Sequence, residues 1–165
     1  MAKINFKGSE VNTQNNLPAK GSKAPDFTLT KGDLSNISLS ELKGKKVVLN
    51  IFPSIDTGVC ATSVRQFNAK AGNIENTVVV CISRDLPFAH NRFCGAEGIK
   101  NVVTASEYKD DNFSKAYGVR MVDGPLAGLF SRCVIVLDEA GVVKYTEQVP
   151  EITQEPDYEA ALKAL

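Results

Sequence analysis

"VVLNIFPSIDTGVCATSVRQFNAKAG", residues 47–72, is the stretch on which the fold turns. It begins with a run rich in β-branched and aromatic residues and nearly continuous in apolarity. That reads as a central strand, buried on both faces and ending near Phe52. "PSIDTG" then gathers the residues of a turn. From Gly58 or Val59 onward the spacing is that of an amphipathic helix, with Val64 and Phe67 on one face and Gly72 as a stop. A buried strand feeding directly into a helix opens a β–α unit.

The units repeat outward from there. "NTVVVCIS" (76–83) reads as a second central strand, and "PFAHNRFCGAEG" as a short helix with a proline at its start and Gly98 at its end. "VVTAS" is a short strand, "DNFSKAYGV" a short helix, and "RCVIVLD–EAG–VVKYTEQV" a pair of strands around a tight turn. "EPDYEAALKAL" closes the chain as a helix, with Pro156 near its first turn. Before residue 47, "INFKGSEVNT" reads as a hairpin or edge strand, "FTLT" as an extended segment, and "SLSELKGK" as a helical turn closed by Gly44. The order β–α–β–α–β–α–β–β–α predicts an α/β domain whose central mixed sheet is flanked by helices, with an antiparallel edge forced by the last hairpin. No repeat or linker interrupts it. We expect one domain over residues 1–165, with residues 1–16 as an N-terminal hairpin extension.

Bulk properties narrow the function. Nineteen basic residues balance nineteen acidic ones, which points away from nucleic acid. "MAKINFKG" has no apolar segment of signal-peptide length, and no stretch approaches a membrane span. A cytoplasmic location is expected, where a static disulfide scaffold is disfavoured. The four cysteines then need a redox, metal or core explanation.

Cys60 falls in the first turn of the helix, where backbone N–H groups lack intrahelical partners and the helix dipole is positive. Cysteines at such positions ionise more readily than free cysteine. The placement therefore points to a thiolate. Asp56 and Thr57 are both candidate caps. An aspartate would oppose an anionic sulfur whereas a threonine hydroxyl can donate to it, so Thr57 is assigned to the thiolate or its substrate and Asp56 is turned away. The plainer alternative makes Thr57 only a cap and Cys60 a small buried apolar residue.

The run Pro53-x-x-x-Thr57-x-x-Cys60 matches the active-site signature of the peroxiredoxins, and the chain resembles their atypical two-cysteine thiol peroxidase branch. "GSKAPDFTL", "FPSIDTGVCATSVRQFN", "SRDLPFAHNRFCGAEG" and "YGV…GPLAGLFSRCVIVLDEAGVV" all carry the likeness, which spans roughly the whole chain. The resemblance implies a thioredoxin-like fold with an N-terminal β-hairpin extension. It implies a thiol-dependent peroxidase that reduces hydrogen peroxide and alkyl or lipid hydroperoxides without a cofactor. Cys60 would be the nucleophile, Cys94 the resolving thiol, and Cys60–Cys94 the intrachain disulfide. Thr57 and the helix-start N–H groups would hold the peroxide, Arg132 would stabilise thiolate and transition state, and Pro53 would close over the sulfur as an apolar lid. Thioredoxin would be the reductant, and the protein a homodimer.

Cys81, inside "VVVCIS", and Cys133, after Arg132 and on the opposite strand face, read as core. His90 precedes Cys94 by one helical turn and reads as exposed helix decoration, with a lesser part in thiol deprotonation or docking. Rival classes fit poorly. No C-x₂₋₄-C pair suggests structural zinc, Thr57-Gly-Val-Cys60 lacks the C-x-x-C of a disulfide oxidoreductase, and no phosphate-binding glycine loop is present. A cysteine hydrolase would have only His90 as a base. A non-enzymatic peroxide sensor using the same thiolate is the serious alternative.

Overall fold

A computed structural model describes residues 1–165. Lys3–Phe6 (β1) and Ser9–Asn12 (β2) form an antiparallel hairpin. Its turn, Lys7–Gly8, has positive φ at both residues (50° and 83°), the conformation that matches the twist of paired strands. Thr28–Lys31 (β3) and Asn36–Ser38 (β4) make a second hairpin, followed by a 3-10 turn over Leu39–Leu42. Then come Lys46–Ile51 (β5), Gly58–Lys70 (α1), Thr77–Ser83 (β6), Pro87–Glu97 (α2), Val103–Ser106 (β7) and Asn112–Tyr117 (α3). The chain ends with Cys133–Leu137 (β8), Val143–Gln148 (β9) and Tyr158–Lys163 (α4).

Seven strands form one sheet in the order β4-β3-β7-β6-β5-β8-β9. The inner pairs β5–β6 and β6–β7 are parallel, as strand–helix–strand crossovers require. The pairs toward both edges are antiparallel. This is the thioredoxin-like architecture expected, with its central mixed sheet and N-terminal hairpin. One strand escaped the sequence reading: β4, only "NIS", is too short and polar to show a period. Pro156 lies just before α4, near its first turn as expected, and Asp157 caps the helix by accepting from the Ala160 amide at 3.0 Å.

Strand periodicity sorts the core into two layers. On β5, Val47, Leu49 and Ile51 face one layer with Phe113, Tyr117 and Ile135. Val48 and Phe52 face the other with Cys60, Val64, Phe67, Cys81 and Val134. Phe67 on α1 meets the Tyr158 ring edge-on at 5.2 Å, which fixes α4 beside α1; such pairs contribute about 0.5–1.5 kcal/mol beyond area burial. A third small cluster joins Ile4 and Val11 of the first hairpin to Met121 and Ile152. The hairpin also pairs with the segment after β9, through Asn5 N–H to the Pro150 carbonyl and Ile152 N–H to the Asn5 carbonyl. That contact fixes the Ile152 carbonyl, which matters below. No helix is long and apolar enough to cross a membrane.

Candidate active site

The site forms where β5 ends. Phe52 still bonds the β6 carbonyl of Ile82 at 3.1 Å, after which Pro53 turns the chain off the sheet. Proline has no N–H to leave unsatisfied there and fixes φ; its ring is buried. Ser54 organises the next residues: its carbonyl accepts from the Thr57 amide at 3.2 Å and the Thr57 hydroxyl at 3.0 Å, and its hydroxyl accepts from the Asp56 amide. Thr57, extended at φ −100° and ψ 148°, is the N-cap residue of α1, and its carbonyl takes the first intrahelical bond from Ala61. The amides of Gly58, Val59 and Cys60 precede that bond and form the electropositive end of the helix.

Cys60 is fully buried in this first turn. Arg132, just ahead of β8, is only 2% exposed and reaches it from the adjoining strand. One guanidinium Nη donates to the Cys60 Sγ at 3.4 Å and Nε donates to the Ile152 carbonyl at 2.8 Å. The other Nη is buried with no partner. No carboxylate pairs with this cation, whereas Arg65, Arg84, Arg92 and Arg120 all face one. A buried charge without a counter-ion is costly, so the pocket is built to receive an anion. The Cys60 sulfur is where a negative charge can sit, and the second Nη has a donor left to offer.

Sequence-predicted residues are therefore partly gathered. Cys60 and Arg132 meet, and Pro53 is buried where the chain leaves β5. Thr57 caps by position, but its exposed side chain donates to the Ser54 carbonyl rather than to the sulfur. Asp56 does turn away, to pair with Arg92 of α2. Cys94 is half-buried on α2, where burial pushes its thiol above the ordinary value; all four cysteines are unlinked. Cys81 and Cys133 are wholly buried, and desolvation pushes both thiols up to about 12. Cys81 receives a weak contact from Asn50 at 3.7 Å, and Cys133 lies on the opposite sheet face beside Ser131 at 3.2 Å.

His90 corrects the reading from sequence. It is fully buried rather than exposed decoration, because the first turn of α2 packs onto the end of β6, with Nε2 2.8 Å from the Ser83 hydroxyl oxygen. Its neighbours had polar companions, Asn91 and Arg92, which disguised the inward face. Asp85 was also missed. It holds the loop before Cys60, accepting from the Ser54 hydroxyl and the Ile55 amide at 2.8 Å each. The signal was an aspartate two residues past a buried strand, in "ISRD".

No trio of His, Cys, Asp or Glu side chains is grouped to hold a metal. A cavity of about 220 Å³ bordered by Ala24, Leu39, Leu42 and Val47 lies at the opening end of β5, away from Cys60 at the far end of that strand.

Comparison with known proteins bears on the family and the fold. The redoxin family model matches residues 19–162. A thiol peroxidase of Mycobacterium tuberculosis is 56% identical over 165 residues, covering 100% of this chain and 99% of that protein, and one of Mycobacterium bovis is equally similar. Among solved structures, a peroxiredoxin-like protein of Aquifex aeolicus superposes with a TM-score of 0.92 at 36% identity, covering 98% of this chain and 95% of its own. A thiol peroxidase of Chromobacterium violaceum shares the fold at a TM-score of 0.87 and 22% identity, covering 98% and 93%.

Proposed function

The chain belongs to the redoxin family and, within it, to the thiol peroxidases; on that premise we propose that Cys60 is the sulfur that attacks peroxide and that Arg132, unpaired except for that sulfur and one carbonyl, is what makes it reactive. Thiol-dependent reduction of peroxides is the activity of the family. The observation that carries the residue assignment is the buried Arg132 guanidinium 3.4 Å from Cys60 with no carboxylate beside it. A cation so placed donates to the sulfur and offers its second Nη to an incoming oxygen.

In the first step the Cys60 thiolate attacks one oxygen of ROOH and the O–O bond breaks. Sulfur is oxidised to the sulfenic acid, and the departing RO⁻ takes a proton to leave as water or alcohol. Arg132 and the N–H groups opening α1 stabilise the charge that develops on oxygen. Thr57 joins them by rotating its hydroxyl from the Ser54 carbonyl toward the bound peroxide. Pro53, lacking a donor, closes over the sulfur and keeps bulk water off it.

Cys94 then attacks the Cys60 sulfur as a thiolate, hydroxide leaves as water, and the Cys60–Cys94 disulfide forms. Disulfide geometry needs Cα atoms within about 7 Å, so α2 loosens to deliver Cys94. Its second half supports this: Arg92, Gly95, Ala96 and Glu97 are exposed, Phe93 is only partly buried against the core, and the Arg65–Glu97 and Arg92–Asp56 pairs are kept weak by exposed surroundings. Exchange with an external dithiol, thioredoxin by the family's habit, restores both thiols. The whole chain, 1–165, acts as one domain, cytoplasmic and homodimeric, with alkyl and lipid hydroperoxides accepted beside hydrogen peroxide.

Intact-mass measurement after one equivalent of peroxide tests the assignment. The parent should lose two hydrogens, as an intrachain disulfide does, and Cys94→Ser should gain one oxygen on Cys60. Oxygen elsewhere, or a parent disulfide that excludes Cys94, refutes it.

A further inference from the structure

His90, Ser83 and Asp85 take no part in the chemistry above, yet they form a connected, largely buried network beside it. The Ser83 oxygen lies 2.6 Å from the Asp85 Oδ2, 2.8 Å from the His90 Nε2 and 3.2 Å from the Asp85 amide. A hydroxyl has one hydrogen, and a carboxylate can only accept. The Ser83 hydrogen therefore goes to Asp85, and the two lone pairs of the oxygen receive the Asp85 N–H and a hydrogen from His90 Nε2. This fixes the neutral tautomer of His90, with Nδ1 bare. That atom is buried with no partner, which a bare lone pair tolerates better than an orphaned N–H would. Burial favours the neutral ring as well.

The other side of Asp85 faces the catalytic loop. Oδ1 accepts from the Ser54 hydroxyl, and Oδ2, the oxygen that Ser83 holds, also accepts from the Ile55 amide. Ser54 in turn carries the Asp56 and Thr57 amides. One unbroken chain of hydrogen bonds thus leads from a side chain on α2, one turn before Cys94, to the loop that aims α1 and Cys60.

We infer that His90, Ser83 and Asp85 are a positioning relay that ties the folded state of α2 to the shape of the Ser54–Thr57 loop, so that the helix carrying Cys94 also sets how fast Cys60 meets peroxide. The inference rests on the reading of Cys60 as the attacking sulfur. While α2 is docked, His90 holds Ser83, Ser83 holds Asp85, and the loop keeps its shape. When α2 loosens to deliver Cys94, the Nε2 donor is withdrawn and the loop slackens until reduction lets the helix return. None of the three residues touches substrate.

The test isolates the peroxide step in a Cys94→Ser background, where resolution is absent, by stopped-flow oxidation with hydrogen peroxide near neutral pH. His90→Phe keeps a ring but removes the donor, Ser83→Ala breaks the relay at its centre, and His90→Gln returns an N–H near the Nε2 position. Breaking a buried hydrogen bond and stranding its partner corresponds to about a tenfold loss. We expect His90→Phe and Ser83→Ala to react about tenfold more slowly and His90→Gln to recover most of that. A role in packing alone would lower the melting temperature and leave this rate unmoved. Rates within twofold of the background for both variants overturn the relay, and Ser83→Ala decides alone if His90→Phe does not fold. If the Cys94→Ser background itself is not oxidised at Cys60, the failure lies in the reading of Cys60, and the relay falls with it. In the otherwise unaltered protein, the Ile55 amide should lose hydrogen-exchange protection in the disulfide form; equal protection in both forms contradicts the coupling.

Discussion

Arg132→Met removes the positive charge in the pocket while keeping an unbranched apolar stem in its place. Two interactions are lost in the transition state: the Nη–sulfur contact at 3.4 Å and the donor presented by the second, unpartnered Nη. Hydrogen bonds to charged groups contribute about 1.5–3 kcal/mol each, so together about 3–6 kcal/mol are at stake. That corresponds to a loss of about 10²- to 10⁴-fold in kcat/KM for peroxide. Folding should respond quite differently. A buried cation without a carboxylate is not a stabilising feature, and apolar replacement of buried charge is often neutral or favourable. Against this, the Ile152 carbonyl loses its 2.8 Å donor, at about 1–3 kcal/mol. The melting temperature should therefore move by no more than about 12 °C in either direction. Arg132→Lys keeps the charge but cannot serve sulfur, carbonyl and peroxide at once, and should fall between parent and Arg132→Met. The assay is initial-rate peroxide consumption with excess dithiothreitol, alongside thermal unfolding. Activity of Arg132→Met within threefold of the parent would refute the reasoning, as would a loss of activity fully matched by loss of the folded state.

Three further outcomes follow from the same groups. Cys81 and Cys133, whose thiols burial pushes up to about 12, should resist iodoacetamide at pH 8 in the native protein, and Cys133→Ala should turn over like the parent; alkylation of either before unfolding contradicts this. Burial also holds the Cys94 thiol above its ordinary value, so less of it is thiolate at neutral pH. The rate of disulfide formation after oxidation should rise with pH, by up to about tenfold per unit between pH 6 and 8, and a flat profile would be wrong for this step. For His90, burial depresses the folded-state pKa more than the facing Asp85 and Asp56 raise it. The unfolded chain then binds the proton first, so stability is full above about pH 6.5 and declines as pH falls through the window below it. Urea unfolding from pH 7.5 to 5.5 should show that decline in the parent and a shallower one in His90→Phe; parallel curves would argue against a buried neutral ring.

The strand–turn–helix at 47–72 was legible because its signals are local: period, proline, glycine and the first-turn cysteine all sit within one stretch. The same holds for α2, bounded by Pro87 and by Gly98 at φ 65°. Where partners are distant in sequence, legibility ended. The Arg132–Cys60 contact spans 72 positions and was reached through family likeness rather than pattern. His90 buries itself through Ser83, and Asp85 reaches back 30 and 31 positions to the catalytic loop, pairings that no helical or strand period encodes. Thr57 shows the complementary limit. Its hydroxyl was assigned to the thiolate or its substrate, but an extended N-cap backbone turns that hydroxyl back to its own turn.

The most direct test is the second-order rate constant for hydrogen peroxide with Cys60 at neutral pH, measured in Cys94→Ser and compared with free cysteine. A helix start plus a buried guanidinium predicts a rate faster by at least about a thousandfold, given that single donors of this kind contribute about 10²–10³. A rate no greater than that of free cysteine, in protein shown to be folded, would contradict the account at its centre.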